Sequence, residues 1–155
     1  MALLGDRHEF KTNISFFCND AAERGTILYF GASGSGVALD QTVAVVTLGG
    51  TGVTTGLKPA GLLLNDMVVR NQWRPFNNIY KDEMTVGGKC TLLEKGWVVT
   101  NMLATGITPV AGDPAYFAPS GKITTSSANS APRVGTFLSA KNEDGYAKVE
   151  INLPN

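Results

Sequence analysis

The chain has 155 residues with 13 Lys and Arg against 13 Asp and Glu, and only 17% of it is charged, below the ~25% usual for a soluble domain. That length supports one domain with a core of its own, and a net charge of zero excludes a whole-chain field steering it to nucleic acid or an anionic membrane. No run reaches about 18 apolar residues, which excludes a membrane-spanning helix.

The start, Met1-Ala2-Leu3-Leu4-Gly5-Asp6-Arg7, lacks a charged-then-apolar leader, so synthesis in a cytosol-like compartment is expected, with Cys18 and Cys90 as free thiols. Asp6, Arg7, His8, Glu9 and Lys11 surround Phe10; Ile14, Phe16 and Phe17 then follow without turn punctuation. Residues 1–24 read as an extended arm, with Phe10, Ile14, Phe16 and Phe17 as anchors on a neighbouring protein. The alternative is an ordinary first strand of the core sheet.

Residues 25–80 form a β-rich region of low charge. From Gly25 to Val69 the charged residues are Asp40, Lys58 and Asp66. Strands are expected at Thr26–Phe30, Gln41–Leu48 and Asp66–Arg70. The shortage of charge fits either a buried sheet with Thr and Ser on its outer face, or a surface packed on neighbouring subunits. Arg70, Trp73, Arg74 and Phe76 form a basic–aromatic cluster at a corner broken by Pro75. Such a cluster stacks single-stranded bases or forms an interface hot spot; the neutral chain favours protein contact.

Residues 81–155 are expected to close into a C-terminal β-barrel. Lys89–Leu93 and Trp97–Thr100 flank Glu94-Lys95-Gly96, read as a hairpin-like turn. Pro114–Phe117 and Lys122–Thr125 flank a second turn, Ala118-Pro119-Ser120-Gly121. From Ser120 to Arg133 the chain runs into an exposed Ser/Thr/Ala-rich loop, and Arg133–Leu138 is a further strand. In Tyr146–Leu153, Ala147, Val149, Ile151 and Leu153 alternate with Lys148, Glu150 and Asn152, the period-two pattern of a strand with one face on a core. The fold class is therefore all-β, a barrel or sandwich.

Catalytic chemistry has little to build on. Gly31-Ala32-Ser33-Gly34-Ser35-Gly36 lacks the lysine and the following helix of a phosphate loop. His8 is the single histidine and sits in the charged arm; with two separated cysteines it offers no zinc spacing. Asp82 and Glu83 are adjacent and face opposite ways on a strand. No catalytic, cofactor or metal residues are expected, and the chain reads as a non-enzyme.

The order Gly112-Asp113-Pro114-Ala115-Tyr116-Phe117, Gly121-Lys122-Ile123-Thr124, Arg133-Val134-Gly135-Thr136-Phe137-Leu138 and Tyr146 to Leu153 resembles the small β-barrel of tailed-phage capsid decoration, or structural cement, proteins. In it, Gly135 lets two backbones pass closely. The resemblance implies a virion protein made in the host bacterial cytoplasm. It would bind the outer face of an expanded head, bridge neighbouring major capsid protein subunits, and trimerise at threefold points. The alternative from another class is a carbohydrate- or receptor-binding β-module of a phage fibre or host-surface protein, with Trp73 and Trp97 as its platform.

Overall fold

The computed structural model describes residues 2–31, 45–48, 56–66, 83–84 and 86–153. Among these the chain is all-β: β1 (Leu3–Cys18), β2 (Ala22–Glu23), β3 (Ile27–Phe30), β4 (Val45–Thr47), β5 (Pro59–Asp66), β6 (Glu83–Met84), β7 (Lys89–Thr100), β8 (Pro114–Phe117), β9 (Ile123–Thr124), β10 (Arg133–Phe137) and β11 (Ala147–Asn152), with 3-10 turns at Pro119–Gly121 and Ala128–Ser130. One sheet runs β1-β4-β3-β5-β7-β11-β10-β8-β9, and β2 pairs with β6.

β7 is the hub. The antiparallel β1 follows it from Leu3 opposite Thr100 to Phe17 opposite Lys89. A strand has two edges, so two partners divide the other one: β5 lies opposite Cys90–Leu93 and β11 opposite Lys95–Thr100. Because β1 also pairs with β4, the strands β1, β4, β3, β5 and β7 form a closed circuit of pairings. Among the described residues, the strands of residues 81–155 pair in the order β7-β11-β10-β8-β9, and four of the five strands of the circuit come from residues before 81.

Glu94-Lys95-Gly96 is not a hairpin turn. It is the middle of the 12-residue strand β7, where pairing on one edge passes from β5 to β11. The glycine serves a close crossing: at φ +145°, a Cβ on Gly96 would stand 2.1 Å from the His8 carbonyl oxygen. β5 begins earlier than the sequence suggested because Pro59 and Gly61 resemble breakers. Pro59 sits at the strand's first position, where its missing N–H is tolerated, and a Cβ on Gly61 would press within 2.7 Å of the Leu92 Cβ. Of the strands expected at Gln41–Leu48 and Asp66–Arg70, residues 41–44 and 67–70 lie outside the described residues.

Apolar clusters occupy both faces of the sheet around β5 and β7. Leu62, Leu64 and Leu93 join Leu3, Ile27, Val98, Phe117, Phe137, Val149 and Ile151 on one side. Leu63 and Leu92 join Cys18, Leu28, Val46 and Cys90 on the other. Much of the described part of the charge-poor stretch is core: Ile27, Leu28, Val45, Val46, Ala60 and Leu62 to Leu64 are all buried. Burial on two faces accounts for the apolar composition of these residues, while Phe30 and Lys58 of the same stretch remain exposed. β11 matches its alternation, with Ala147, Val149 and Ile151 inside and Glu150 and Asn152 outside.

Candidate protein-contact surface

The structure separates the four N-terminal anchor residues. Phe17 is buried beside Val45, and Phe16, half-buried, meets Phe30 edge-on at 5.4 Å between ring centroids. Phe10 and Ile14 face outward, 77% and 46% exposed. Arg70, Trp73, Arg74 and Phe76 lie outside the described residues.

From Gly5 to Thr12 every residue of β1 is exposed, whereas a strand lying on a core buries alternate residues. This stretch holds to the molecule along the β7 edge. Its fastening is a buried carboxylate: Glu94, 4% exposed, receives the Lys11 ammonium at 2.5 Å and the Asn13 amide Nδ2–H at 3.1 Å. A carboxylate so enclosed requires such partners to offset its lost hydration. Arg7 and Glu9 pair with each other at 2.7 Å.

The outer edge of β1 is paired, among the described residues, with β4 at Phe17 and Cys18. Further back, its register against β7 is irregular at four places between Leu3 and Phe16. Irregular, charged edges resist addition of another strand. Such an edge offers projecting side chains, Phe10 foremost, rather than a continued hydrogen-bond ladder.

A row in register crosses four strands on the outer face: His8 opposite Trp97, Trp97 opposite Glu150, and Glu150 opposite Thr136. The Lys148 ammonium stands 3.4 Å from the centre of the Trp97 ring, and His8 stacks on that ring at 6.5 Å and 19°. Trp97 is thus engaged by a cation and a second ring, leaving less of it open as a platform for a sugar; Trp73 lies outside the described residues. Sequence reasoning placed Trp97 on a strand and, in the alternative reading, on a sugar platform with Trp73, but did not group it with His8 and Lys148. Finding this cluster requires the β1–β7–β11 register, which no local pattern announces.

Cys18 and Cys90 are both free and buried. The Cys18 thiol donates to the Asp20 carbonyl at 3.0 Å and Cys90 to the Phe16 carbonyl at 3.4 Å. Burial pushes both thiols up, Cys90 to about 12, so neither has the thiolate character of a nucleophile. Among the described residues no three His, Cys, Asp or Glu side chains gather as metal ligands, and no helix is long and apolar enough to cross a membrane.

No curated protein matches the chain. The family described as structural cement protein (E217 gp24/Pam3 gp6) matches residues 6–152. The match starts within β1 and ends at the last residue of β11, so it takes in the exposed strand, the hub and the C-terminal strands whose order carried the resemblance. By that near-complete match, the chain belongs to the phage structural cement proteins, a family of virion components.

Proposed function

We propose that this protein binds the outer surface of an expanded phage head and cements neighbouring major capsid protein subunits, as a homotrimer at threefold points, with no direct contact to nucleic acid or membrane. The observation that carries the docking is the stretch Gly5–Thr12 of β1, exposed throughout and presenting Phe10 at 77% exposure. An aromatic side chain so placed gains by burial against a partner. Family membership supports the capsid as that partner. The virion supplies a periodic lattice, so many copies with modest individual affinity bridge many seams.

Deleting β1 is a poor test, because it would strip β7 of its partner along its whole length. Point substitution separates the roles. Phe10→Asp with Ile14→Asp is expected to leave the melting temperature nearly unchanged and to reduce binding to heads purified without the protein, by about tenfold or more. Binding measured by co-sedimentation checks this. Unchanged binding by the folded variant would remove β1 as the docking element.

A further inference from the structure

The chain is neutral overall, yet the ends of the β10–β11 pair differ in charge and shape. At one end, the turn from Ser139 to Tyr146 carries exposed Glu143 and Asp144, with Lys141 beside them. The neighbouring turn, joined to it by the Gly112 N–H to the Phe137 carbonyl at 2.8 Å, carries Asp113. Two apolar side chains project there, Val110 at 61% and Leu138 at 40% exposure. At the other end, where β10 begins, Phe30, Leu57, Pro132 and Leu153 line a hollow of about 320 Å³ rimmed by Lys58 and Arg133. Phe30 is 44% exposed. The Arg133 guanidinium is held in place by its bonds to the Gly135 carbonyl and the Thr136 hydroxyl, at 3.1 and 3.0 Å.

We infer that these ends mate between copies of this chain: Leu138, at the base of the turn that carries Glu143 and Asp144, seats in the hollow of the next copy lined by Lys58 and Arg133. The apolar knob meets an apolar hollow, and a rim of two cations meets two carboxylates, so shape and charge select the same partner. Knob and hollow lie at opposite ends of β10, so the contact is head-to-tail. Such a contact closes into a ring when the rotation between copies permits and otherwise propagates; a discrete cement unit requires the ring. The inference rests on the self-association in the proposed function and names the surface that produces it, separate from the β1 face assigned to the capsid.

Charge exchange tests it. The wild-type protein is expected to sediment as an oligomer. Lys58→Glu with Arg133→Glu, and separately Glu143→Lys with Asp144→Lys, should each weaken association by about tenfold or more, with unchanged melting temperature. Combining all four substitutions in one chain should restore it. If that chain does not fold, mixing the two double variants replaces it, because each then offers the other a complementary end. Leu138→Asp should dissociate the oligomer without altering the charges of the rim.

The contact is overturned if the folded double variants keep the wild-type mass, or if neither the fourfold variant nor the mixture regains it. Should the wild type be monomeric in solution, zero-length carboxylate–amine cross-linking on decorated heads decides. A Lys58 link to Glu143 or Asp144 between chains supports the contact, and its absence overturns it. Head binding is scored in parallel. Double variants that stay oligomeric while wild type binds heads defeat this contact and spare the cement reading; absent head binding by wild type defeats the cement reading itself.

Discussion

Individual residues divide sharply into those that hold the fold and those that face outward. Gly135 belongs to the first group: a Cβ there would stand 1.8 Å from the Glu150 carbonyl oxygen, on a backbone paired with β11. The close passage anticipated from the resemblance is thus steric and tight. Gly135→Ala is expected to cost about 2–4 kcal/mol, at or above the upper end of overpacking penalties, as read by urea unfolding. Phe17→Ala should cost about 3 kcal/mol through its buried ring, whereas Phe10→Ala should stay within about 0.5 kcal/mol. The buried thiols add a pH signature. The neutral form of Cys90 is favoured in the fold, with its pKa raised to about 12, so its contribution is complete below the unfolded value near 9 and is lost as pH rises through about 12. Urea midpoints should therefore fall above pH 9 more steeply for wild type than for Cys90→Ala, and the native thiols should resist a disulfide reagent at pH 8 until the chain is unfolded.

At the scale of the element, β7 decides the architecture and β1 depends on it. The link between them is the Glu94–Lys11–Asn13 cluster. Lys11→Ala leaves the Glu94 carboxylate buried with one described partner fewer, while Glu94→Gln removes the charge that needs the ammonium. The double variant should therefore be less destabilised than the sum of the single ones, by about 1–2 kcal/mol once the half-exposed lysine is discounted for screening. Amide hydrogen exchange along Gly5–Asn13 should quicken in Lys11→Ala before the rest of the sheet does. Strand identity was legible wherever the pattern is local: β11 from its alternation, β8 and β10 from apolar runs between turn residues. β5 and the continuity of β7 were not, because Pro59, Gly61 and Gly96 carry breaker chemistry that tertiary contact reuses for a strand start and two close approaches. The orientation of the N-terminal apolar residues was not legible: hydrophobicity marked Phe10, Ile14, Phe16 and Phe17 alike, but only the pairing with β7 and β4 separates the exposed pair from the inward one.

At the scale of the whole molecule, rigidity bears on when such a protein acts. A factor that directs assembly must engage and release as the shell changes shape. This chain offers a sheet with a closed circuit of pairings and buried apolar clusters on both of its faces, together with a strand fastened to a buried carboxylate. Pre-organised β-structures of this kind change little on binding, so they recognise a seam that already has its final form. In the proposed role, each copy adds contact area across that seam, and rupture of the head then requires loss of those contacts together with the capsid's own. Saturating the sites shifts the balance toward the intact shell by mass action. The expected phenotype of a particle lacking the protein follows. Heads should assemble at normal size and fill with DNA, then lose it on heating or on dilution into chelator at conditions wild-type heads survive. Adding purified protein to the finished heads should restore their resistance, and Phe10→Asp with Ile14→Asp should fail to do so. DNA release followed by dye fluorescence during a temperature ramp measures all three. Heads that are absent or of the wrong size in the deletion would instead assign the protein to assembly, because a late addition to a finished lattice cannot set the dimensions of that lattice.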